Sequence, residues 1–66
     1  MAVARVSRVI ASSTKGFQDA VDTAVKRASK TLRGLTGGEI TASKVKIENG
    51  KITEYRIEMD ITFILE

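Results

Sequence analysis

The chain has no cysteine, histidine, proline or tryptophan, one tyrosine and two phenylalanines. Without cysteine there are no disulfides and no thiolate metal sites. Without histidine the commonest general base, the commonest transition-metal ligand and the physiological pH switch are all missing. No apolar run approaches the roughly 18 residues that a membrane span needs. The first residues, "MAVARVSRVIASS", interleave arginine with apolar residues and so lack the continuous apolar stretch of a signal peptide. The chain is therefore expected to be a mature, cytoplasmic protein with no membrane partner.

What is present is one domain's worth of chain, residues 1–66, with 29% charged and 42% hydrophobic residues. That composition is globular. For a chain of 7.2 kDa, surface scaling gives about 6,300 Å² buried on folding, worth roughly 95 kcal/mol if about 60% is apolar. Ordering the chain costs about 100 kcal/mol. A monomer comes out near zero, so association is the expected route to stability.

The net charge of +3 invites a nucleic-acid reading, but the layout opposes it. Asp19 and Asp22 lie in the first half of a helical pattern, and Lys26, Arg27, Lys30 and Arg33 in the second. The helix macrodipole favours that arrangement. No aromatic residue lies within a basic cluster, so a stacking platform for bases is missing. No nucleic-acid partner is expected.

Along the chain, residues 2–11 read as a Val/Ile-rich strand, with Val3, Val9 and Ala11 on one face and Val6, Arg8 and Ile10 on the other. Ser12 or Ser13 is placed to cap a helix. Phe17, Ala20, Val21, Ala24, Val25, Ala28 and Leu32 then form one apolar stripe, which predicts a helix over about 14–34. Gly34 and the pair Gly37-Gly38 supply its stop signals. Residues 39–48 read as a second strand whose alternation slips: Ile40 and Ala42 are out of step with Val45 and Ile47. Either a β-bulge near Ser43 and Lys44 restores the register, or the two halves face different things. Asn49-Gly50 marks a hairpin with a type I′ turn. Residues 51–65 alternate cleanly, with Tyr55, Ile57, Met59, Ile61, Phe63 and Leu65 on one face and Glu54, Arg56, Glu58, Asp60 and Thr62 on the other.

The order β-α-β-β, with a helical crossover between parallel outer strands, predicts an α+β fold with a three-stranded sheet in spatial order 1-3-2 and one helix on its face. A helix of roughly 30 Å cannot cover a straight strand of roughly 50 Å. Either the sheet curls around the helix, or an overhang carrying Ile61, Phe63 and Leu65 packs on another subunit.

Catalytic chemistry finds little footing. Ser12, Ser13 and Thr14 lack an activating base. Gly37-Gly38 follows a helix and enters a strand, the reverse of a P-loop. Glu54, Arg56, Glu58 and Asp60 read as a solvated face, with ionic contacts between subunits as the alternative. Glu58 and Asp60 sharing Mg²⁺ or Ca²⁺ is the less economical reading. The chain is not expected to be an enzyme.

Two long stretches, "VIASSTKGFQDAVDTAVKRASKTLRGL" and "ENGKITEYRIEMDITFILE", carry a family resemblance. The "S-x-x-x-F" helix start, the "RA-x-K-T-L-R" helix end and "EY-x-I" followed by "F-x-L" together resemble the dodecins, small flavin-binding proteins that form hollow homododecamers. The resemblance implies the same strand–helix–strand–strand fold, twelve-fold self-association and binding of a flavin, FMN or riboflavin, for storage or sequestration. In typical members a tryptophan just before the second strand stacks on the flavin ring and a glutamine bonds its edge. Gly37 and Arg56 stand at those positions here. The resemblance thus implies a site between subunits built from Gly37, Gly38, Glu39 and Arg56, with the Thr36–Glu39 backbone lining it. The alternative is a shell-forming structural protein that has lost flavin binding or takes a different anionic ligand.

Overall fold

The computed structural model describes residues 3–65; Ala2, included in the expected first strand, lies outside them. The elements are β1 (Val3–Ser13), α1 (Phe17–Thr31), β2 (Leu35–Glu48) and β3 (Lys51–Leu65). The sheet order is β1-β3-β2, and β3 runs antiparallel to both neighbours. The expected α+β topology and strand order are what the chain adopts. Asn49 (φ 53°) and Gly50 (φ 75°) both take the left-handed conformation that a type I′ hairpin turn requires.

The helix is shorter than its apolar stripe. It begins at Phe17 and has no side-chain cap. Ser13, at the end of β1, instead accepts the Lys15 backbone N–H (2.9 Å) and donates to the Asp19 carboxylate (2.6 Å). The serine thus stitches the connecting turn to the first helical turn without capping it. Phe17 meets Tyr55 edge-to-face, with ring centroids 5.1 Å apart, and the pair closes that end of the core. At the other end Leu32 is already extended (φ −111°, ψ 148°). Its side chain packs on the core, and Gly34 (φ 71°) then turns the chain. Gly37 and Gly38 do not stop the helix; they belong to β2.

The core is small. Ala20, Ala24 and Ala28 of α1 pack against Ile57, Met59 and Ile61 of β3, with Val9, Ala11, Val21, Leu32 and Leu35 around them. Three alanines at one helical face let the helix lie close to the strand, and burial of apolar surface at about 25 cal/mol per Å² holds it there.

β1 pairs with β3 without interruption from Val3↔Leu65 to Ser13↔Tyr55. β2 does not. Its pairing with β3 shifts three times: at Thr36 and Thr41, which are extra residues in β2, and at Thr53, an extra residue in β3. The bulge expected near Ser43 and Lys44 therefore lies at Thr41. Ile40 faces Met59 on the helix side, whereas Ala42 faces Glu58 on the outer side. The residue out of step with Val45 and Ile47 is thus Ala42 alone. All three extra residues are threonines, and each donates its hydroxyl to a carbonyl of the opposite strand. Thr36 bonds Thr62 O (3.4 Å), Thr41 bonds Glu58 O (3.1 Å) and Thr53 bonds Lys46 O (3.4 Å). A bulge disrupts the local ladder, and the threonine hydroxyl supplies a donor where it does so.

The molecule measures 52 × 19 × 13 Å. The fifteen-residue helix spans only about 22 Å of that length. The overhang differs from the expected one. Ile61 is buried and Phe63 half-buried, and only Leu65 of that trio is exposed. The longer uncovered stretch is the hairpin arm at the opposite end, where Val45, Ile47 and Ile52 stand in the open.

Candidate functional site

Gly37, Gly38 and Glu39 lie consecutively at the start of β2, opposite Thr62, Ile61 and Asp60. Beside them an apolar groove of about 410 Å³ runs between α1 and β2, walled by Val21, Val25, Ile40, Met59 and Ile61. The two glycines differ in what surrounds them. A Cβ at Gly38 would come within 2.8 Å of the Met59 methyl carbon, whereas a Cβ at Gly37 would meet nothing within 4 Å. Gly38 serves core packing. A side chain at Gly37 would stand beside Thr62 on the outer face of the sheet, away from the groove, where it meets open space.

Arg56 does not join them within one chain. It pairs opposite Lys44, six residues along β3 from the partner of Gly37, or roughly 20 Å away at about 3.3 Å per residue. Its guanidinium bonds Glu54 at 3.2 Å across a largely exposed surface. Lys44, Lys46 and Arg56 together make a cationic outer face at the arm, with Glu54 among them.

Farther along the same face Arg8 donates two hydrogen bonds to Asp60, at 2.9 and 3.3 Å. That bond and the cation's charge hold the Asp60 carboxyl below the usual carboxylate range, and raise Arg8. Glu58 is tied to Lys44 at 3.0 Å. Glu58 and Asp60, considered above as a shared cation site, are thus each bonded to a cationic side chain. Among the described residues no three acidic side chains cluster so as to hold a metal ion. No helix of the described residues is long and apolar enough to cross a membrane.

The bulges at Thr36 and Thr53 and the division of labour between the glycines were not foreseen from sequence, and the bulge expected in β2 lies two residues before Ser43. The slip between Ile40 and Val45 was the sequence signal for that one bulge.

The architecture defines a class: small β-α-β-β proteins whose single helix half-covers a three-stranded antiparallel sheet. The dodecin family profile matches residues 3–66, and the chain belongs to the dodecin family. Among solved structures it is similar to the dodecin from Streptomyces coelicolor, at 37% identity and TM-score 0.92, covering 98% of this chain and 93% of that one. It is also similar to a tryptophan-to-phenylalanine variant of the Thermus thermophilus dodecin, at 29% identity and TM-score 0.93, covering 100% and 98%. A third is a calcium-chelating antigen, a calcium dodecin with a calcium-binding site, from Mycobacterium tuberculosis. That match has 25% identity and TM-score 0.82, covering 97% and 91%. No curated protein matches the chain.

Proposed function

We propose that this dodecin is a ligand-binding protein, not an enzyme, that assembles into a hollow homododecamer and holds a flavin, FMN or riboflavin, for storage or sequestration. The observation that carries the reading is the open space at Gly37, whose missing side chain would stand on the outer face of the sheet, the face that carries Arg56. A planar ring has room to lie against the backbone there. In this reading the backbone of Thr36, Gly37, Gly38 and Glu39 would line the ligand, with Gly37 allowing its close approach. Arg56 supplies charge-assisted hydrogen bonds to a phosphate or a ring carbonyl. Because Arg56 and Gly37 are far apart in one chain, the arginine reaches the ligand from a neighbouring copy.

Self-association is supported by surface area. The chain exposes 5,054 Å², about 900 Å² more than a compact monomer of its mass. A protein interface of ordinary size removes about 800 Å² per partner.

A second reading has its own support. Among the described residues no aromatic side chain stands on the outer face beside Gly37: Phe63 shares the helix face with Ile61, and Phe17 and Tyr55 are engaged with each other. Loss of a stacking ring forfeits about 1–3 kcal/mol, or one to two powers of ten in affinity. In that reading the chain forms the shell and takes no flavin. The calcium dodecin raises a cation reading, which the ion-paired Glu58 and Asp60 do not favour.

Titration of the purified protein with FMN and with riboflavin decides between them. A change in flavin absorbance or fluorescence at micromolar concentration supports the storage reading. No change at those concentrations overturns it in its flavin form and leaves the shell. Light scattering behind size exclusion is expected to give twelve times the chain mass.

A further inference from the structure

The positive charge of the chain is concentrated on one element. Between Asp22 and Glu39 it carries Lys26, Arg27, Lys30 and Arg33 and no acidic residue. Those four charges exceed the net +3 of the whole chain, so the other residues together carry a slight negative excess. Ala20, Ala24 and Ala28 turn one side of α1 onto β3. All four cations are exposed, with Lys26 and Lys30 on the side of the helix turned away from the sheet and Arg27 at its flank.

The helix macrodipole accounts for only one of them. The dipole acts within the last turn, and because α1 ends at Thr31 only Lys30 falls there. Lys26 and Arg27 lie earlier, and Arg33 lies beyond the end. Acidic side chains do not hold them either. Among the described residues the ion pairs are those of Arg8, Lys44 and Arg56, all on the outer face of the sheet. The two carboxylates of the helix, Asp19 and Asp22, are bonded by Ser13 and Gln18. Lys26 and Lys30, four residues apart on one line of the helix, repel each other. The fold therefore bears a repulsion that no intramolecular contact offsets.

We infer that the helix side of the chain docks on an anionic lipid surface, with Lys26, Arg27, Lys30 and Arg33 lying over the headgroups. Four clustered cations are enough for such attraction, each contributing about five-fold near the surface. The character of the cluster favours lipid over other polyanions. Its side chains are exposed and held by no ion pair, so they present a charge density and not a set geometry. Anionic lipids diffuse laterally and gather under such charge. Single-stranded nucleic acid calls for aromatic platforms, and the one aromatic residue of α1, Phe17, is engaged with Tyr55. The apolar stripe of the helix is packed on β3, so the contact is electrostatic and peripheral, without insertion. The absence of a spanning segment, on which the expectation of no membrane partner rested, does not bear on a surface contact.

Co-sedimentation with vesicles tests the inference. The purified protein is expected to bind vesicles of phosphatidylglycerol and phosphatidylcholine at low salt, to ignore vesicles of phosphatidylcholine alone, and to be released as added salt screens the charges. Lys26→Gln with Lys30→Gln removes two of the four charges and is expected to weaken binding about thirty-fold. It is expected not to lower Tm, since glutamine is a good helix former and the repulsion is relieved. Lys46→Gln with Lys51→Gln removes the same charge from the hairpin arm and is expected to bind as the unmodified protein does. Equal loss in the two variants would trace binding to net charge and overturn the inference. Failure to bind the anionic vesicles would overturn it too, as would tighter binding of a DNA duplex at the same salt that is lost in the helix variant. FMN titration reads the opposite face of the sheet, so its outcome is independent of this one.

Discussion

The Met59 methyl carbon fills the place that a side chain at Gly38 would take, at 2.8 Å from a Cβ built there. One residue earlier, the same construction at Gly37 meets only open space. Gly38→Ala must therefore displace a core methionine that is 4% exposed, and is expected to cost about 1 kcal/mol, the lower end of overpacking because the methionine end can move. Gly37→Ala is expected to be neutral or to stabilise by up to about 0.5 kcal/mol, since alanine is less costly than glycine to order in a strand. Thermal denaturation of the two variants side by side gives the comparison. Equal losses would show that Gly37 is also confined.

Asp60 sets an acid limit. Its carboxyl is held below the ordinary range, first by the hydrogen bond from Arg8 and then by the guanidinium charge, against some desolvation. A carboxyl lowered on folding contributes stability that is fully present above its unfolded value, about 3.9, and is lost as pH falls through the folded value. Arg8 is raised, so its share is lost only in strong alkali. Asp60→Asn is therefore expected to flatten the pH dependence of the melting temperature below about pH 4 and to change it little near neutrality. A wild-type acid limb that survives unchanged in this variant would assign it to other carboxylates.

The bulge threonines invite an isosteric test. Thr41 is exposed and bonds Glu58 O at 3.1 Å. Thr41→Val keeps the β-branched shape and removes the donor, with an expected loss of about 0.5–1 kcal/mol. Thr41→Ser keeps the donor and should lose less. If valine melts above serine, the hydroxyl contributes less than the side chain's shape.

Ile57 is the largest fully buried side chain, at 1% exposure. In a core of six residues it has few neighbours able to close the gap. Ile57→Ala is expected to cost about 3–4 kcal/mol and to lower the melting temperature and the assembled fraction together.

Much of the fold was legible because its cues are local. Alternation over residues 51–65 set β3, Asn49-Gly50 set the hairpin, and the parallel crossover set the strand order. The helix ends were not legible. Apolar spacing continues through Leu32 although that residue has turned extended, and Ser13 looks like a cap while bonding Lys15 and Asp19. Parity located a slip in β2 but misplaced it, since Ala42 is apolar on the outer face and small residues carry little facing information. At the candidate site, the stretch Gly37–Glu39 stood out in the sequence. That one glycine accommodates Met59 while the other is free depends on a residue far along the chain, on β3, and spacing does not encode it.

The three bulges have a consequence for shape. β2 carries two residues that its neighbour does not match, and β1 carries none. Bulged strands bend and twist more than plain ones, so the two margins of this narrow slab have unequal contour lengths and the slab bows, as a barrel stave does. The hydroxyls of Thr36, Thr41 and Thr53 tie each bend to the facing strand.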